Sequence, residues 1–170
     1  MKLFDPHAVM TGASLQVLLH FAAEQGLAPE LALARTRLSP EVMGVSHAEI
    51  EAWQELQVVR NLISALGQPA LELGLQCGLR YHLGSYGMWG LALMTSATLG
   101  DAVRIGVQYI EVASYFNEIA VRAEGDRVTM TLDNASLPAD VRAFLIGRDV
   151  ASIGVILNTL LGTGHCWVKE

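Results

Sequence analysis

The chain has 170 residues, 52% of them apolar and 16% charged, with a formal net charge of -6. That length suits one domain with a substantial core, and no low-complexity linker divides it. An acidic balance without a basic stripe excludes nucleic-acid wrapping by this segment alone, and so large an apolar share must be buried internally or against a second copy.

The first ten residues, MKLFDPHAVM, carry an early Asp5 and Pro6 and no apolar stretch with a small-residue cleavage site, so they do not form a secretory signal and a cytoplasmic address is expected. Leu15, Leu18, Leu19 and Ala22 recur at helical spacing, with Gly26 as the stop. Pro29 and Ser39-Pro40-Glu41 start two brief helices, too poor in basic and amide side chains to read base edges. Ser46 and Glu49 have the spacing of a capping box, predicting a helix onward to Leu66 with Ile50, Trp53, Leu56, Val59, Ile63 and Leu66 on one stripe. Gly67 ends it and Pro69 starts the next, in which Leu71, Leu75 and Leu79 are expected to face inwards while Gly74 and Gly78 offer a smooth side.

Tyr81 to Asp101 reads as a glycine-lined joint where three helices meet. Gly84 and Ser85 make a turn, Gly87 and Gly90 leave a bare backbone face, and Thr98 with Asp101 caps the next helix. Near Tyr115 the period changes: Ile119, Val121 and Ala123, then Val128, Met130 and Leu132, alternate with polar residues on either side of Glu124-Gly125-Asp126, a β-hairpin with one buried face. Pro138 opens a long helix that is apolar around most of its circumference, stopped by Gly162-Thr163-Gly164, and His165 to Lys169 begins as a strand. The uncharged runs at 83–100 and 150–161 read as core helices, not membrane spans. The fold class is therefore α+β: a helical N-terminal half, then helix, β-hairpin, long helix and strand, forming a small antiparallel sheet packed by helices within a single domain spanning 1–170.

Five histidines are scattered without the close spacing of a metal site, and no serine stands in a nucleophile elbow, so neither a metal nor a cofactor nor an enzyme is expected. Cys77 and Cys166 read as buried thiols. The joint brings His82, Tyr86 and Trp89 together, and Arg148 interrupts the long apolar helix, where it must either pair with an acid or anchor an anionic ligand. The second option predicts a ligand pocket bounded by His82, Tyr86, Trp89 and Arg148, with Ile153 and Ile156 on the same helix as candidates for a homodimer interface.

Gln25-Gly26-Leu27 with Leu38-Ser39-Pro40-Glu41, then Leu83-Gly84-Ser85-Tyr86-Gly87-Met88-Trp89-Gly90, and above all Thr98-Leu99-Gly100-Asp101-Ala102 with Tyr109 beyond, resemble the N-terminal regulatory domain, arabinose-binding type, of bacterial AraC/XylS-like transcription regulators. The position of Asp101 is commonly Glu in that family. The resemblance implies an effector-sensing, dimerising module that controls a helix-turn-helix DNA-binding domain expected beyond this chain, with DNA contacted only through that domain. It does not carry arabinose over as the ligand. The order of elements after Thr98 also looks like the haem/NO-binding and Golgi-transport ligand-binding fold, which implies a pocket between helices and sheet. A stand-alone small-molecule or haem-binding sensor and a pure dimerisation module are the competing readings.

Overall fold

A computed structural model of the chain describes residues 4–45, 48–113, 116–124 and 127–161. The N-terminal half holds a pairing that periodicity did not predict: β1 (Val9–Thr11) lies antiparallel to β2 (Glu49–Glu51), with Met10 opposite Ile50. This pairing moves the next helix. Residues 49–51 run extended to pair with β1, so α3 (Ala52–Leu66) begins at Ala52 instead of at a Ser46 cap. Its capping box joins Glu51 and Gln54, whose Oε1 accepts the Glu51 N–H at 2.8 Å, while Ser46 lies outside the described residues.

Helix α1 (Ala13–Glu24) buries Leu15, Leu18, Leu19, Phe21 and Ala22 against α3, which contributes Leu56, Val58, Val59 and Leu62. The proline-led starts are seen as α2 (Pro29–Ala32) and a 3₁₀ turn at Pro40–Gly44. Fully burying one such aliphatic side chain contributes about 1.5–3 kcal/mol, so this helix pair supplies a substantial part of the core.

Helix α4 (Ala70–Gly78) reverses the expected orientation. Leu71, Leu75 and Leu79 are 48%, 39% and 62% exposed, and the glycine face is the buried one. It lies against α7 (Ala139–Leu161) with backbones almost touching: a Cβ built on Gly74 would stand 2.1 Å from the Phe144 carbonyl oxygen, and one on Gly147 2.5 Å from that of Leu71. Close approach of two backbones, not the leucine stripe, decides which side of α4 faces in.

The joint comprises a 3₁₀ turn at Leu83–Tyr86 and α5 (Gly87–Met94). Gly90 lets α5 fold back on it, since a Cβ there would lie 1.8 Å from the Leu83 carbonyl oxygen. Thr98 caps α6 (Leu99–Gln108) as its spacing predicts, its Oγ1 accepting the Asp101 N–H at 3.0 Å. Strands β3 (Glu118–Glu124) and β4 (Arg127–Asp133) form the second antiparallel pair, with Ile119 opposite Leu132 and Val121 opposite Met130 on the half-buried face. Among the described residues, two small antiparallel sheets against a mainly helical body make the fold α+β. The turn at 125–126, the stop at Gly162-Thr163-Gly164 and the strand from His165 lie outside the described residues.

By length and composition α7 is long and apolar enough to cross a membrane. It buries Arg148 and Asp149 among protein partners and packs along α4, as the core helix of a folded domain does.

Candidate functional site

An apolar cavity lies between the hairpin and the second-half helices. Trp89 and Leu93 enter from α5, and Val103, Gly106 and Val107 from α6. Ile119 and Met130 form the sheet wall, and Ile153, Ile156, Leu157 and Leu160 the α7 wall. It measures about 50 Å³ and is partly open to solvent. The alternation in β3 and β4 points their apolar residues to this side, and the 153, 156, 157, 160 spacing puts four α7 side chains on one face. The indole N–H of Trp89 is donated to the Gly106 carbonyl at 3.2 Å, which closes α5 onto α6. A hydroxyl brought into this space without a partner costs about 1–3 kcal/mol, so the walls favour hydrocarbon.

The expected site residues separate. Trp89 lines the cavity, and Tyr86 stands behind it, its ring 5.3 Å from that of Trp89 and 5.7 Å from that of Tyr81. His82 is exposed in a different place, an open polar cleft of about 580 Å³ shared with Gln16, His20, Glu24, Arg80 and Ser85. Arg80 Nε lies 2.9 Å from Glu24 Oε2 in that cleft and His20 Nε2 3.5 Å from Glu24 Oε1. Ile153 and Ile156, expected at a dimer interface, are cavity walls, and Ile156 is buried.

Arg148 takes the first of its two options and pairs with acids. It is buried, with Nη1 2.9 Å from Glu55 Oε1 and Nε 2.7 Å from Asp149 Oδ1, and its guanidinium lies over the rings of Phe116 and Tyr81 at 5.5 and 5.9 Å. Asn117 donates to the other Asp149 oxygen, and Ser14 donates to Glu55 Oε1 at 2.8 Å with the Tyr81 hydroxyl 2.8 Å from Ser14 Oγ. Glu55 Oε2 has no hydrogen-bond partner among the described residues. Two carboxylates share one guanidinium in a dry interior, and burial pushes the Glu55 carboxyl up, against the opposing pull of Arg148. For Arg148 burial acts downward, yet Asp149, Tyr81 and Glu55 hold it above the usual guanidinium range. The same burial drives the Cys77 thiol up to about 12, an inert core position. Arg148 thus ties α7 to α3 and does not line the cavity.

Periodicity missed Glu55 altogether, because a glutamate on a helix reads as solvated; its position between Ala52 and Leu56 on the inner stripe is the available signal. No group of three or more metal-ligating side chains occurs among the described residues.

Residues 26–166 match the family model described as the arabinose-binding domain of AraC transcription regulator, N-terminal. Uncharacterized HTH-type transcriptional regulators of Mycobacterium tuberculosis and Mycobacterium bovis are each 33% identical to the chain over 144 residues, which is 85% of this chain and 41% of theirs. The ornithine utilization regulator of Pseudomonas aeruginosa is 25% identical over 158 residues, covering 84% of this chain and 46% of that protein. The chain therefore spans less than half the length of these relatives. These relatives are named as regulators, and the match over most of the chain makes this protein a member of the AraC-type regulator family through its arabinose-binding-type N-terminal domain.

Proposed function

We propose that this domain senses a small-molecule effector in the cavity between hairpin and helices, works as a cytoplasmic homodimer, and controls a helix-turn-helix half that contacts DNA on its behalf. The observation that carries the reading is the composition of the cavity wall: α5, α6, both hairpin strands and α7 each contribute to it. A molecule lodged among elements so distant in sequence favours whichever of their arrangements it binds best, and shifts the equilibrium by that difference in affinity. Net charge supports the division of labour, since an acidic sensor gains little from phosphates.

Support for the dimer comes from α4. Leu71, Leu75 and Leu79 form an exposed i, i+4, i+8 stripe, and Val150 of α7, one turn beyond Gly147, is exposed as well. The test is a promoter reporter driven by a chimera of this chain with the DNA-binding half of a relative. An inducing compound from a metabolite panel should lose its effect when Ile153→Phe narrows the cavity, while the variant keeps its fold by circular dichroism. An inducer that acts equally on both forms would place the effector elsewhere.

A further inference from the structure

We infer that the cavity takes an apolar body, an aliphatic chain or an aromatic ring, and not a sugar or a compact organic anion; this rests on the effector-binding role proposed above. Every described side chain lining it is apolar, and the indole N–H of Trp89 is already donated to the Gly106 carbonyl. Hydroxyls entering there would leave water and find hydrocarbon, which selects against a polyol. An anion would need a cation in the wall. Arg148 on the α7 side is bound by Glu55 and Asp149, and Arg104 of α6 is exposed and paired with Asp101 at 3.0 Å. An anchor for a carboxylate or phosphate is thus absent among the described lining residues.

Size sharpens the class. At about 50 Å³ the space is smaller than the roughly 150 Å³ cavities that hold benzene, so a chain fits more readily than a ring and either enters by displacing adaptable side chains such as Met130 and Leu93. The mouth is open, so a long molecule extends outward instead of folding inside. Gly106 gives a handle on this volume: a Cβ added there would stand 3.4 Å from both Leu93 Cδ2 and Trp89 Cζ2, ordinary contact distance against two wall residues. The atoms nearest that Cβ are side-chain atoms of the wall, so an added side chain at 106 crowds the cavity without its Cβ meeting backbone.

The experiment is methyl NMR on the 170-residue chain, titrated separately with 1-octanol, toluene and L-arabinose. The expected result is saturable shifts of the Ile119, Met130 and Ile153 methyls with octanol, whose terminal hydroxyl stays at the open mouth, with toluene, or with both, and none with arabinose; which of the two apolar probes binds more tightly distinguishes chain from ring. Gly106→Val should weaken that binding at least tenfold, with Gly106→Ala intermediate and both variants folded. Failure of both octanol and toluene to shift these methyls up to their solubility limits overturns the proposal, as do arabinose shifts at the same methyls. Arabinose shifts confined to the surroundings of His20 and His82 would move the effector to the polar cleft, ending the hydrocarbon assignment while the sensor role stands. If octanol or toluene binds but neither alters reporter output from the chimera, the ligand class stands and the sensor role fails.

Discussion

Arg148 of α7 and Glu55 of α3, 93 residues apart in the chain, meet at 2.9 Å in a position closed to water on both sides. Removing the guanidinium leaves two buried carboxylates facing each other with no cation. Arg148→Ala should therefore destabilise the domain by about 3–5 kcal/mol, the cost of breaking a buried ion pair from one side. Urea unfolding followed by circular dichroism measures this. A loss below about 1 kcal/mol, with only an effector response affected, would return Arg148 to the ligand-anchoring role that its place in an apolar helix first suggested.

The same cluster predicts a pH dependence. Burial raises the Glu55 carboxyl above its ordinary 4.5, so the folded state holds a proton that the unfolded chain releases as pH rises past that value. Where the native state binds more protons, stability falls with increasing pH; the Glu55 contribution is complete below the unfolded pKa and is lost as pH climbs towards the folded one. Glu55→Gln, which keeps an oxygen for Ser14 and Arg148, should flatten this part of the curve. Urea midpoints taken at intervals above pH 4.5 should converge for variant and parent at the acid end; parallel curves would refute the raised value.

Two alanine substitutions on packed helices should have opposite signs. At Gly74 the added methyl meets the Phe144 carbonyl oxygen at 2.1 Å, so α4 and α7 must separate, costing about 1–3 kcal/mol or more. At Gly154 nothing stands within 4 Å of the new methyl, and the helix gains about 1 kcal/mol of propensity. Thermal melts of the two variants check both. Equal effects would mean that the α4–α7 backbone contact is looser than described.

The exposed leucine stripe gives a fourth expectation. Leu75→Glu should shift the chain towards monomer in sedimentation at tens of micromolar while changing its unfolding free energy by no more than about 0.5 kcal/mol, the usual range for surface substitutions. Ile156→Glu, a change in a buried wall residue, should instead unfold the domain. If Leu75→Glu leaves a dimer intact, the partner face lies off α4.

Local chemistry alone determined much of this protein. The Thr98 cap, the Gly26 and Gly67 stops, the proline-led starts and the alternation of β3 and β4 each depend on residues within a few positions, and each is found where the chain predicts it. The family was legible too, because its motifs gather around the joint and the Thr98 cap. Tertiary structure decided what depends on distant partners. The side of α4 that faces inward follows from how closely α7 approaches, and neither helix reveals that separately. The start of α3 follows from a strand pairing with residues some forty positions earlier. The partner of Arg148 lies on another helix, so a lone arginine in an apolar stretch could not reveal whether it faces a ligand or a buried glutamate. The cavity divides between the two: the resemblance implied a pocket between helices and sheet and Trp89 was expected at its edge, but which residues of α6, the hairpin and α7 complete the wall depends on how those elements assemble.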